Sequence, residues 1–409
     1  MSKNSIPAIR FKSFSNPWLY TGLKEVKDVR DGTHSSPKYI DNGYPLVTSK
    51  NLSDSGLNLN DVSLISESDY NEINKRSKVE VGDILLGLIG TIGKPVLVET
   101  DGFAIKNVGL IKNGGQIQNQ FLLQYLKTNL FNKYIQIEMA GNTQKFLGLE
   151  TLRNTKIPVP SSAEQSAIGS LFCTLDDLLA SYKDNLANYQ SLKETMLSKM
   201  FPKAGQIVPE IRLDGFEGEW KEVQLSDICK KVIEKNKDND FNETFTNSAE
   251  FGIINQRDFF DKDISNEKSL NTYYVVRNND FVYNPRISNY APVGPVKRNK
   301  LGRTGVMSPL YFIFRVVNSN IDLDFLETFF DTNIWHKFMK LNGDSGARAD
   351  RFAIKDSIFL KMPIVFPSIT EQQAIGAYFS NLDDLINSQQ EKIYQLETLK
   401  KKLLQDMFI

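Results

Sequence analysis

Cysteine and histidine are nearly missing from this chain of 409 residues: only Cys173, Cys229, His34 and His336 occur. Two cysteines so far apart in sequence cannot build a disulfide framework or a Cys-rich zinc site. Two histidines exclude most His-based metal centres and catalytic triads, so neither a metal nor another cofactor is expected. No stretch approaches the ~18 consecutive apolar residues of a membrane-spanning helix. Met1–Pro7 also lack the apolar core of a signal peptide, which predicts a cytoplasmic protein with no membrane partner. Net charge is absent too, with 49 basic and 49 acidic side chains. That balance excludes a globally polybasic nucleic-acid coat and a disordered acidic chain. Aromatics are present at 11%, enough to pack more than one core in two or three domains.

The chain contains a plain internal repeat. Residues 164–201 and 371–408 align without a gap at an offset of 207, with 16 of 38 positions identical, including EQxAIG, LDDL and a terminal Met-Phe. A second pair of markers lies earlier. Pro7-Ala8-Ile9-Arg10-Phe11 with Trp18 matches Pro209-Glu210-Ile211-Arg212-Leu213 with Trp220, now at an offset of 202. Between the markers little identity survives. The spacing therefore predicts four segments: a variable block 1–160, a repeated helix 161–201, a second block 202–367 and the second helix 368–409.

Each repeated segment reads as one long helix. Ser161-Ser162-Ala163-Glu164 and Ser368-Ile369-Thr370-Glu371 fit capping boxes, each preceded by a proline. A heptad reading places Ile168, Leu175, Tyr182, Tyr189 and Met196 at one core position and Leu171, Leu178, Asn185 and Leu192 at the other. In the second copy the matching positions are Ile375, Leu382, Gln389, Leu396 and Leu403, then Tyr378, Leu385, Lys392 and Leu399. Two similar apolar stripes in one chain are natural partners for each other. A bare helical prop would satisfy the stripes but would not require the polar identities EQ and LDDL to recur.

Charge is unevenly distributed. Residues 1–160 carry 19 basic and 15 acidic side chains, whereas the helices carry 3 against 5 and 4 against 6, and residues 202–367 are balanced at 23 each. Phe281–Arg303 contains no acid but five cations: Arg286, Lys297, Arg298, Lys300 and Arg303. Gly102–Ile137 is likewise acid-free, with Lys106, Lys112, Lys127 and Lys133. Local basic faces suit a phosphate backbone, and Arg, Lys, Asn and Gln can read base edges. Short apolar runs at 83–86, 95–98, 281–283 and 310–314 predict strands, followed by helices near 120–139 and 324–341. Polar loops at 141–145 and 343–348 close the blocks and are natural places for base contacts.

No complete enzyme constellation emerges. Gly87–Lys94 lacks the first glycine of a phosphate loop and has Pro95 where a Ser or Thr is needed, so it reads as strand–turn–strand. Tyr283-Asn284-Pro285-Arg286 lacks the second proline of an amino-methyltransferase tetrapeptide. Asp176-Asp177 and Asp383-Asp384 diverge by about 100° on a helix and cannot share one small site.

The duplicated Pro-x-Ile-Arg…Trp start, the Asp31-Gly32-Thr33-His34 and Pro45–Leu52 segments, and the twice-used Pro-Ser-x-x-Glu-Gln-x-x-Ile helix resemble the DNA-specificity subunit of type I restriction–modification systems. The resemblance spans essentially the whole chain. It implies an α+β architecture: two strand-rich α/β target-recognition domains separated by two long, antiparallel, coiled-coil-like helices, with approximate two-fold internal symmetry. It also implies a non-catalytic protein in which each recognition domain reads one half of a split, asymmetric double-stranded DNA site. The helices would measure the spacer and dock two modification (methyltransferase) subunits, with motor–nuclease restriction subunits joining that core. Expected DNA contacts are His34, Lys50, Gln144 and Lys145 in the first block and Arg286, Arg298, Arg348 and Arg351 in the second. Expected docking or packing positions are Ile168, Leu175, Asp176, Asp177 and Leu178, with Ile375, Leu382, Asp383, Asp384 and Leu385. Two other readings remain open: a scaffold whose blocks bind protein, and a specificity partner of another methyltransferase-based defence system.

Overall fold

A computed structural model describes residues 6–54, 56–140, 146–259, 267–344 and 350–408. The chain divides into two compact units, one formed by Met1–Asp184 with Glu391–Ile409 and the other by Asn185–Gln390. Both boundaries fall inside the long helices. Each unit therefore holds one variable block, the first half of the helix that follows it, and the last turns of the other repeated helix.

The first unit is built on a four-stranded antiparallel sheet in the order Val29–Asp31, Val108–Ile111, Ile84–Gly87, Gly93–Leu97. The segment expected to be strand–turn–strand forms the last two of these. The turn is made by Gly90 and Gly93, both at φ near +80°, a conformation that glycine adopts without steric cost. A closing ladder pairs the first strand of the block, Leu19–Gly22, with its last, Lys156–Val159. The second unit repeats both features. Its sheet runs Cys229–Lys231, Phe312–Val316, Phe281–Tyr283, Val296–Arg298, and its closing ladder joins Lys221–Gln224 to Pro363–Phe366.

What surrounds this common frame differs. The first unit adds a second four-stranded sheet in which Ala104–Ile105 runs parallel to Tyr44–Val47. The second unit has instead two separate two-stranded ladders, the hairpin Phe245–Ser248 with Gly252–Asn255 and the longer-range pair Tyr274–Val276 with Gly305–Met307. A shared frame carrying different additions explains why the markers at the block ends match while the interiors do not.

The expected single helices are each broken. In the first block Asn119–Lys127 and Asn129–Glu138 meet at Thr128, whose Oγ1 accepts from Phe131 N and caps the second helix. In the second block Leu323–Asp331 precedes His336–Asn342. The helices Asn119–Lys127 and Leu323–Asp331 receive the start of the long helices through glycine. A Cβ on Gly169 would lie 3.0 Å from Gln120 Cβ, and one on Gly376 would lie 2.9 Å from Asp324 Cβ and 3.1 Å from Phe325 N. The repeated Ala-Ile-Gly is thus a site of close helix approach.

The repeated Met-Phe completes each core. Phe408 lies 5.5 Å from Phe121 and 6.3 Å from Trp18, ring centre to ring centre, while Phe201 lies 5.4 Å from Phe325 and 6.0 Å from Trp220. All six rings are buried, so these clusters carry much of the apolar burial in their units.

The long helices run Ser162–Lys199 and Ile369–Asp406, 38 residues or roughly 57 Å each. Their apolar seam differs in phase from the heptad reading. Ile168, Phe172, Leu175 and Leu179 are buried, and the seam continues through Tyr182, Leu186, Tyr189, Lys193 and Met196 to Met200. The second copy follows the same phase through Ile375, Phe379 and Leu382. The step after Ile168 is four residues, not three. Leu178, Leu192, Leu385 and Leu399, assigned to the seam by sequence, are instead 37–45% exposed. Alternating steps of three and four suit a seam that starts on either one; the aromatic Phe172 and Phe379, drawn into the unit cores, set the phase.

Candidate nucleic-acid interface

The Glu-Gln pair of the repeat acts inside the protein. Glu164 is buried and accepts from Arg10 Nε and Nη2 at 2.6 and 2.7 Å and from Trp18 Nε1 at 3.1 Å. Glu371 receives Arg212 in the same bidentate way. The serines still cap, Ser161 Oγ accepting Glu164 N at 3.3 Å, but each glutamate turns to its arginine in place of closing a capping box. Gln165 accepts Gln118 N and donates to Pro160 O, as Gln372 does with Asp322 N and Pro367 O. The shared Pro-x-Ile-Arg…Trp start and Glu-Gln helix are therefore two halves of one lock, present once per unit.

LDDL is divided between two tasks. Asp176 pairs with Lys400 and Asp383 with Lys193, each linking the two antiparallel helix segments of one unit. Those lysines stand on the seam itself, where a polar residue fixes register. Asp177 and Asp384 face solvent, as do Leu178 and Leu385 at 41% exposure each. Of the positions expected to dock or pack, Ile168, Leu175, Ile375 and Leu382 are buried inside their units. Only Asp177, Leu178, Asp384 and Leu385 present a free surface, and it is the same surface twice.

In the first block the strand 104–106 runs parallel to Leu46–Val47 on one side and meets Thr33 through a parallel bridge at Lys106 on the other. All three continue to the same edge, which brings His34 and Lys50 to one end of the sheet. His34 has Nε2 2.8 Å from Asp31 Oδ2 and Nδ1 2.8 Å from Asn107 Oδ1, with its side chain 61% exposed. Asp31 is further held by Arg76, and Lys106 donates to Ser36 Oγ at 2.6 Å. Lys50 is exposed, and its neighbour Ser49 donates to Ile89 O. Gln144 and Lys145 lie outside the described residues.

In the second block Arg286 and Arg351 meet in an antiparallel bridge and line a cavity of about 700 Å³ together with Asn247, Gln256, Tyr290 and Tyr311. Asn247 Oδ1 and Gln256 Oε1 are buried and have no hydrogen-bond partner among the described residues. Sequence reading missed Asn247 and Gln256, because neither lies in a basic run or a terminal loop. Tyr290, 80% exposed, stands at the same concavity. Arg348 lies outside the described residues.

Arg298 requires a correction. It is buried and held by Asp324 and Glu327, so it faces the helix Leu323–Asp331 and not solvent. Its companions are neutralised as well: Lys297 by Asp331, Lys300 by Glu327 and Arg303 by Glu243. A run without acids in sequence acquires them from other elements on folding. Arg286 alone of the five has no carboxylate partner among the described residues. In the first block Lys112 is similarly taken up by Glu80 and Asp83.

The sequence matches the family described as "Type I restriction modification DNA specificity domain" over residues 16–188 and again over residues 217–398. The chain belongs to that family. A Methanocaldococcus jannaschii protein, described provisionally as the specificity subunit of type I restriction enzyme MjaX, is 25% identical over 417 residues, covering 95% of this chain and 92% of its own. The Escherichia coli EcoBI specificity subunit is 28% identical over 176 residues, covering 40% of this chain and 35% of its own. In fold the chain is similar to the solved S subunit of a type I system from M. genitalium, with a TM-score of 0.60 at 14% identity and 99% coverage of both chains. The chain is accordingly a type I specificity subunit, a non-catalytic component. Among the described residues no cluster suited to a metal ion occurs, and no helix is long and apolar enough to cross a membrane.

Proposed function

We propose that the two blocks are target-recognition domains with the boundaries 1–160 and 202–367, each reading one half of a bipartite, asymmetric site on double-stranded DNA. The observation that carries this reading is one sheet frame used twice with different additions on it. A repeated frame suits binding the same kind of object twice, and different additions suit different half-sites. Exposed cations stand where the chain leaves the common sheets and next to the additions, His34 just after Val29–Asp31, Lys50 after Tyr44–Val47 and Arg286 just after Phe281–Tyr283, positions from which phosphate contacts would set orientation and base-edge contacts sequence. His34 and Lys50 are the contacts in the first domain and Arg286 and Arg351 in the second, together with Gln144, Lys145 and Arg348, which lie outside the described residues.

The helices set the unread interval. Each is roughly 57 Å long against about 34 Å for a turn of DNA, enough to serve half-sites more than one turn apart. Their repeated exposed faces, Asp177 and Leu178 in one copy and Asp384 and Leu385 in the other, dock two modification subunits. Restriction subunits join through that core, in the cytoplasm.

Exchange of residues 18–160 for the corresponding block of another family member tests the reading. One half of the methylated site should change and the other should persist; a change in both halves, or in neither, would refute it.

A further inference from the structure

A short ladder beyond the central sheet recurs in both blocks, at equivalent positions, with opposite chemistry. Ile84 pairs with Ile111 and Leu97, and Phe281 pairs with Phe314 and Arg298, so these two residues hold the same place in the common sheet. Five residues on, Ile89 bridges Phe146 in the first block and Arg286 bridges Arg351 in the second. The flanking hydrogen bonds match as well. Leu147 N donates to Leu88 O at 2.8 Å, and Phe352 N donates to Pro285 O at 2.7 Å. Leu147 and Phe352 turn inward and are buried.

The outward pair at this position is Ile89 with Phe146, 41% and 45% exposed, in one block and Arg286 with Arg351 in the other. Neither choice is explained by folding. Two exposed apolar side chains bury little, and two neighbouring arginines repel each other; neither arginine has an acidic partner among the described residues. In the first block Ser49 ties the turn bearing Lys50 to Ile89 O. The arginine pair also opens on the cavity lined by Asn247 and Gln256.

We propose that this bridge is the specificity-determining position of both recognition domains. Arg286 and Arg351 read guanine through its O6 and N7 acceptors, and Ile89 and Phe146 contact the 5-methyl group of thymine. The inference rests on the reading that the blocks contact DNA, and it adds which residues decide the sequence and which base each pair selects.

The test is genomic methylation mapping in cells that carry the full chain with its modification subunit. R286A and R351A should relax a guanine position in the second half-site by about 10-fold or more while leaving the first half-site as stringent as before. The double variant I89A/F146A should do the reverse, relaxing a thymine position in the first half-site only. R286K and R351K keep the charge but lose the bidentate fork, and should relax the guanine position like the alanine variants. Full stringency in the lysine variants would reduce the arginines to phosphate contacts and overturn the inference, as would equal weakening of both half-sites. The lysine variants also guard against misfolding as a cause, since they keep the charge and nearly the size of Arg286, which is exposed, and of Arg351, which is half-buried. Exchange of residues 18–160 serves as the reference. If it moves one half-site while the point variants move nothing, this inference fails and the two-reader function stands; if it moves nothing, that function itself fails.

Discussion

Removing the Glu164 carboxylate should open the first unit at the point where its block is locked to its helix. In the Glu164→Ala variant Arg10, 9% exposed, would lose both of its charged hydrogen bonds and keep only the single Asn16 carbonyl, and Trp18 Nε1 would lose its acceptor. Breaking a buried ion pair from one side typically costs about 3–5 kcal/mol, because the remaining charge stays buried and unpaired. The equivalent Glu371→Ala should cost less. Arg212 is 17% exposed and retains the Glu217 and Gly218 carbonyls, and Trp220 Nε1 has no partner to lose among the described residues. The missing tryptophan bond alone is worth about 1 kcal/mol. Native-state hydrogen exchange on the full chain reads both effects at once, since each unit has its own peptides. Amides of Ala167–Phe172 should lose protection in the Glu164 variant, and amides of Ala374–Phe379 in the Glu371 variant, by a smaller factor. A loss below about 1 kcal/mol for Glu164→Ala would refute the lock, and so would equal losses in the two variants. The double variant Arg10→Leu/Glu164→Leu should recover part of the loss, because no charge is then stranded.

Other consequences can be checked separately. Helix propensity alone would have Gly376→Ala stabilise by about 1 kcal/mol; with Phe325 N 3.1 Å from the added Cβ, it should instead destabilise by about 1–3 kcal/mol in urea titration, and by more than Gly169→Ala. Leu178→Asp should leave one modification subunit bound per chain and Leu178→Asp/Leu385→Asp none, measured by native mass spectrometry, with thermal stability changed little because both leucines are exposed. Burial pulls the Lys27 ammonium down to about 8 from an ordinary 10.5, against a smaller opposing pull from Asp83. Between those values the unfolded chain binds more protons than the folded one, so stability should rise with pH from about 8 to about 10.5 and gain nothing from this group below 8. Lys27→Met should flatten that rise, by at most about 3.4 kcal/mol over the window; an unchanged pH profile would contradict the burial.

Much of the architecture is legible in the sequence. Period and capping marked both long helices, and short apolar runs between glycine, proline and asparagine marked the sheet strands at 84–87, 281–283 and 312–316. The repeat marked two similar units. What stayed hidden was long-range by nature. The acids that neutralise Arg298 and Lys297 come from a helix some 25–35 residues further on, so a window of local charge could not reveal them. The seam phase was misread because a leucine every seven residues fits two frames, and Phe172 and Phe379 decide between them only once the unit cores exist. The polar repeat identities looked like a partner surface, yet Glu164, Gln165, Asp176 and their copies bond within the chain. Ile89 and Phe146 carried no sequence signal at all, since their equivalence to Arg286 and Arg351 exists only in the register of the sheets.

The central claim, two readers of different half-sites on one chain, is tested most directly by mapping methylated bases across genomic DNA modified by the unaltered complex. The expected result is a two-part motif, its halves different in sequence and separated by a fixed interval in which any base is allowed. An uninterrupted motif, a palindrome, or methylation that does not depend on this chain would contradict it.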